Sequence, residues 1–178
     1  MGRLRRTIAL VGMMGAGKSS VGRRLAARLD VAFRDADAEI ELAAGCSITE
    51  IFSRFGEAGF RDGERKVIAR LLRGPPHVLA TGGGAFIDET TRADIASHAT
   101  SVWLRAPIAL LVSRVGRKET RPLLRDGDTR EIMERLLQQR EPVYASADII
   151  IDSEDGPHQS AVDRILSALE NRDLLEPA

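Results

Sequence analysis

From Gly12 to Ser19 the chain reads Gly-Met-Met-Gly-Ala-Gly-Lys-Ser, which meets the spacing G-x-x-x-x-G-K-[ST] at every fixed position. Glycines at these places let successive backbone N–H groups turn inward around polyphosphate oxygens, while the helix that follows points its positive end at them. Lys18 is placed to reach the β- and γ-phosphates. The Ser19 hydroxyl is placed to ligate Mg²⁺, a cation that takes oxygen ligands and keeps several waters. A glycine-rich turn without a ligand is the bland alternative, and the position of this string between a strand-like run and a helical pattern speaks against it.

Five other constellations carry potential chemistry. Asp35-Ala36-Asp37 follows a short extended piece, and if all three residues are extended the two carboxylates point the same way. Asp35 would then hold Mg²⁺ through water, and Asp37 would orient an acceptor hydroxyl and take its proton; two aspartates capping a helix are the alternative. Phe60-Arg61-Asp62-Gly63-Glu64 sets Arg61 three residues before Glu64, on one helical face, where a surface ion pair is the commoner reading of such a spacing. Gly82-Gly83-Gly84 lets a ligand approach the backbone closely, as does many a plain loop. Arg114, Arg117, Lys118, Arg121 and Arg125 face only Glu119, and a basic stretch without core-facing residues suits a mobile lid over about 117–128 that delivers arginine to a transferring phosphoryl group. Arg140 in Arg140-Glu141-Pro142-Val143-Tyr144 sits where a guanidinium can fork onto a carboxylate.

The elements that must hold these residues alternate. Thr7–Val11, a piece near Val31–Phe33, His77–Ala80, Ala99–Leu104 and Asp148–Ile151 read as strands. Helical spacing runs through Val21, Leu25 and Leu29, from Ile40 to a stop at Gly45, through Ile51 and Phe55 to Val67 and Leu72, over Pro107–Val115, through Ile132, Leu136 and Leu137, and over Ala161–Leu169. Ser47 and Glu50 match a capping box, and Gly74-Pro75-Pro76 ends the helix before it. Short strands between helices imply an α/β fold, a parallel sheet covered on both faces, within one domain over residues 1–178.

Composition narrows the function. Lysine plus arginine and aspartate plus glutamate each number 26, so the formal charge is zero and no global basic field argues for nucleic acid or an anionic membrane. No apolar run approaches a membrane span. The single cysteine, Cys46, excludes an internal disulfide and a multi-cysteine metal site, and it reads as a buried filler. The basic N-terminus enters the glycine loop with no cleavage-site pattern, so a cytoplasmic location is expected. His77, His98 and His158 are scattered and form no metal pattern, and Trp103 reads as core. A guanine-nucleotide switch fails because Asn171 is the only asparagine and no Asp-x-x-Gly occurs. Adenine is the expected base. A non-catalytic nucleotide-binding regulator and a gluconate-type kinase are the remaining rivals.

Taken in order from Gly12 to Tyr144, and with Phe33-Arg34-Asp35-Ala36-Asp37, Ile51-Phe52, Gly56-Glu57 and Phe60 to Glu64 at matching spacing, the chain resembles the shikimate kinase family. The resemblance implies a three-layer phosphate-loop fold with strand order 2-3-1-4-5, a shikimate-binding region at about 35–64, and transfer of the γ-phosphoryl of MgATP to the shikimate 3-hydroxyl in aromatic amino-acid biosynthesis. It implies ATP contacts from Gly15, Ala16, Gly17, Lys18, Ser19, Ser20 and the lid residue Arg121, with Ser19 as metal ligand. Shikimate contacts fall on Asp37, Arg61, Gly83 and Arg140, with Gly82 and Gly84 beside them. Arg114 fits the base-holding arginine; Pro157 packs on adenine, in place of the basic residue some relatives carry there. A monomer is implied. Arg61 and Arg140 distinguish this acceptor from gluconate.

Overall fold

The computed structural model describes residues 3–115, 128–154, 156 and 158–175. Thr7–Val11 forms β1, buried at every position, as its unbroken apolar run requires of a strand covered on both faces. Around it lie β2 (Phe33–Asp35), β3 (Val78–Ala80), β4 (Ala99–Arg105) and β5 (Ile149–Asp152) in the order β2-β3-β1-β4-β5, all parallel. This is the expected α/β sheet and strand order.

Parallel neighbours need long crossovers, and helices supply them. They are α1 (Lys18–Leu29), α2 (Ala36–Ala44), α3 (Ile48–Leu72), α4 (Glu89–His98), α5 (Ile108–Val115), α6 (Thr129–Tyr144) and α7 (His158–Glu170). The sequence reading missed α4, whose buried positions Thr91 and Ile95 give only a thin apolar stripe. It also missed the short 3₁₀ turn Ala85–Ile87. The main core runs from β1 outward through Leu25, Ile68, Trp103, Met133 and Ile165.

A second, smaller core of Ile40, Ile51, Phe60 and Val67 joins α2 to α3, with the Phe52 and Phe60 rings 4.7 Å apart. Cys46 packs at its margin, half-buried, and is not the buried filler its neighbours suggested. Within α3 the backbone leaves helical angles at Gly56, φ 66 and ψ −174, a conformation that glycine adopts without a Cβ penalty. The break separates the packing turn 48–55 from the long arm that carries Arg61 and Glu64.

Ser47 and Glu50 form the expected box at the start of α3: the Ser47 hydroxyl accepts the Glu50 N–H at 3.2 Å and the Glu50 carboxylate accepts the Ser47 N–H at 2.8 Å. Ser47→Ala is expected to cost about 1 kcal/mol. For a chain of this size that lowers the melting temperature by about 2–4 °C. Calorimetry checks it, and an unchanged melting temperature would show that the small core alone holds this helix start.

Candidate active site

The carboxyl ends of β1, β2 and β3 lie level, since Leu10 and Asp35 both face Ala80 in the sheet register. Open α/β sheets bind ligands beyond this edge. From β1 the chain enters the glycine loop, where Gly12, Gly15 and Gly17 hold φ of 132°, 82° and 92°. Gly17 caps α1 and has no side chain with which to bond the first-turn amides, and no acidic residue lies in that turn. The N–H groups and the positive end of α1 are thus directed at whatever anion the loop encloses. The Lys18 ammonium donates to the Gly12 and Met13 carbonyls, at 2.8 Å each, which folds its charge back over the loop.

β2 delivers the two aspartates differently from the sequence expectation. Because the strand is three residues long and α2 begins at Ala36, Asp35 is the helix cap and Asp37 lies in the first turn. They do not share an extended face. Asp35 accepts the Asp37 N–H at 3.1 Å and the Ser19 hydroxyl at 2.6 Å, whereas Asp37 Oδ1 lies 3.3 Å from the place a Cβ on Gly82 would occupy. One carboxylate serves the loop's end and the other faces the glycine run.

After β3, Thr81 ties to β1 by donating both its N–H and its hydroxyl to the Leu10 carbonyl, at 3.1 and 2.9 Å. The three glycines that follow are each crowded by a different neighbour. A Cβ on Gly82 would lie 2.8 Å from Glu64, one on Gly83 3.3 Å from the Met14 nitrogen and 3.5 Å from Arg140, and one on Gly84 2.5 Å from Arg61. Arg61 and Arg140 therefore flank consecutive residues of one loop that abuts the phosphate loop.

Arg61 donates to Glu64 at 2.7 Å, as their spacing predicts. Glu64 is only 1% exposed, so this is no surface ion pair. Burial pushes the Glu64 carboxyl up, with Arg61 opposing and Asp37 and Asp88 reinforcing the rise. Its Oε1 and the Nη1 of buried Arg140 have no hydrogen-bond partner among the described residues. Buried polar atoms without partners are costly, so an unpaired guanidinium N–H and an unpaired carboxylate oxygen here together suit a ligand that is an acid and an alcohol.

A cleft of about 410 Å³ is lined by Lys18, Ser19, Asp35, Asp37, Gly83 and Arg114, among others; Arg61, Glu64 and Arg140 are not in its lining and meet it only through the glycine run they flank. Arg114 donates to the Gly15 carbonyl at 3.4 Å. His158, which its isolated place in the sequence gave no role, stands at the same spot: its ring lies 3.2 Å from where a Cβ on Gly17 would be. Burial, Arg114 and Arg24 all hold the imidazole below its usual value. Only the packing of α7 against α1 could reveal that proximity. Trp103 is core, as expected, and its Cδ1 also abuts Gly12. Arg121, Pro157 and 117–127 of the expected lid lie outside the described residues; Asp128 caps α6.

A glycine-rich loop between β1 and α1, abutted by a second glycine run that two carboxylates and two arginines flank, at the carboxyl edge of this parallel sheet, defines a small-molecule kinase of the phosphate-loop class. The family model "Shikimate kinase" matches residues 14–170, and the chain belongs to that family. It is 60% identical over 168 residues to a shikimate kinase of Paramagnetospirillum magneticum, covering 94% of this chain and 86% of the relative. It is 58% identical over 164 residues to one of Caulobacter vibrioides, covering 92% and 82%. The structure of the shikimate kinase from Acinetobacter baumannii in complex with shikimate superposes with a TM-score of 0.92, at 37% identity and 95% coverage of both chains.

Proposed function

We propose that the chain transfers the γ-phosphoryl group of ATP to the 3-hydroxyl of shikimate, giving shikimate 3-phosphate and ADP. The acceptor oxygen attacks the γ-phosphorus in line, the bond to the β,γ-bridging oxygen breaks, and the hydroxyl proton passes to Asp37. No phosphoenzyme forms, because the transition state asks chiefly for alignment and charge neutralisation. A pre-steady-state search for phosphoprotein checks this.

What carries the reading is the buried Arg140 Nη1, without a hydrogen-bond partner among the described residues, beside Gly83, which itself abuts Met14 of the phosphate loop. A carboxylate forked by Arg140 and Arg61 leaves the ring hydroxyls to Asp37, Glu64 and the amides of Gly82 to Gly84. Gly15 to Ser20 hold the phosphates, Lys18 neutralises the γ-phosphoryl, and Arg114 and Pro157 take the adenine side. Arg121 is assigned to the transferring group, and closure of 117–128 to the exclusion of water. The Ser19 hydroxyl and Asp35 carboxylate are hard oxygen donors that suit Mg²⁺, Ser19 directly and Asp35 through water. Bound there the ion neutralises phosphate oxygens. We also take the enzyme to act as a cytoplasmic monomer, and sedimentation velocity tests the association state.

The test is a coupled ADP assay over shikimate, gluconate and a panel of polyols. ADP formation only with shikimate is expected; gluconate-dependent turnover, or none with any acceptor, overturns the reading. In the same assay Arg61→Ala is expected to raise the shikimate KM about 30- to 150-fold, the worth of a charge-assisted fork at about 2–3 kcal/mol. The ATP KM should stay within about twofold, because the short hydrogen bond and close contact of Arg61 are with Glu64 and Gly84, at the far end of the glycine run. Equal loss of both would make Arg61 structural.

A further inference from the structure

Tyr144 is fully buried and lies four residues after Arg140 on α6, hence on the same helical face. Its hydroxyl donates to the Gly83 carbonyl and touches the Met13 sulfur at 3.9 Å. Its ring sits 5.7 Å from that of Trp103, whose Cδ1 abuts Gly12. One side chain thus meets the floor of the phosphate loop, the loop itself and the acceptor-side glycines. A phenyl ring would fill the same space. Burying a hydroxyl costs free energy unless it is bonded, so the hydroxyl is explained by what it holds.

What it holds is the carbonyl of the peptide unit between Gly83 and Gly84. That unit is planar and trans, so fixing its carbonyl also fixes the direction of the Gly84 N–H. Gly83 abuts Arg140 and Gly84 abuts Arg61. Neither glycine has a side chain with which to anchor itself, and Gly83 lies against Met14 of the phosphate loop. We propose that Tyr144 is a positioning residue for the transfer: its hydroxyl sets the plane of the Gly83–Gly84 peptide, and thereby the placement of the two guanidiniums relative to the phosphate loop. This rests on the reading of the acceptor as an acid gripped by Arg61 and Arg140. Burial pushes the Tyr144 phenol up to about 12, so it remains a donor at any ordinary assay pH.

The test compares Tyr144→Phe with Ile95→Val, a core change in α4, by melting temperature, kcat and both KM values. Tyr144→Phe is expected to raise the shikimate KM about fivefold and to lower kcat, as the loss of one hydrogen bond implies. Its ATP KM should remain within about twofold of wild type, while Ile95→Val should lose thermal stability without this asymmetry. Shikimate kinetics within twofold of wild type, or equal rises in both KM values, overturn the proposal.

Because Tyr144 is the only tyrosine, biosynthetic labelling with 3-fluorotyrosine gives one ¹⁹F signal. That signal should shift on adding shikimate to the otherwise wild-type protein and much less on adding ADP. An unmoved signal with shikimate overturns the proposal even if Tyr144→Phe does not fold. Wild-type enzyme without shikimate-dependent ADP formation would instead remove the acceptor assignment, and this inference with it, before any variant is compared.

Discussion

Lys18→Ala is expected to lower kcat about 10²- to 10³-fold, since removing one preorganised donor from a developing oxyanion costs about 2.7–4 kcal/mol. Lys18 is buried as a residue and the orientation of its ammonium is set before any ligand arrives by the Gly12 and Met13 carbonyls. Little reorganisation is then needed as charge spreads over the transferring phosphoryl oxygens. The substitution also deprives two loop carbonyls of this donor, so a modest fall in melting temperature should accompany the kinetic loss. Lys18→Arg should not restore activity, because a planar guanidinium on a different stem cannot take the place of a compact ammonium in this loop. Steady-state and single-turnover rates on protein with an intact circular dichroism spectrum decide the matter. A kcat reduced less than about tenfold would remove Lys18 from the transfer step.

Asp37→Asn is expected to be comparably severe, about 10²- to 10⁴-fold in kcat, the range for a positioned acid–base group. The change keeps the side chain's size and its place in the first turn of α2, next to Gly82. It removes the charge and the ability to take a proton. The shikimate KM should move much less than kcat, because Arg61 and Arg140 remain to grip the acid. A large rise in KM with kcat preserved would make Asp37 a binding group alone. Loss confined to stability would return it to the helix-capping alternative, which the structure already assigns to Asp35 instead.

Local rules reached far into this protein. The phosphate loop was legible because eight consecutive residues carry its whole geometry, and β1 and the box at Ser47 and Glu50 appear where their short-range signals put them. Alternation of strands and helices sufficed for a parallel sheet, while the strand order came through family likeness and not from periodicity. The aspartate pair was misjudged because one residue decides whether a segment stays extended, and at Ala36 the helix had already begun. Pairwise spacing predicted that Arg61 meets Glu64, yet not that Glu64 would be buried with one oxygen unpaired among the described residues. That depends on α3 packing over the glycine run, a contact made across the sheet edge. Likewise His158 and Tyr144 reach the phosphate loop across more than a hundred residues of chain. Motif chemistry is short-range in sequence and survives inspection residue by residue, whereas desolvation, unpaired polar atoms and the neighbours of a glycine exist only once distant segments have been brought into contact.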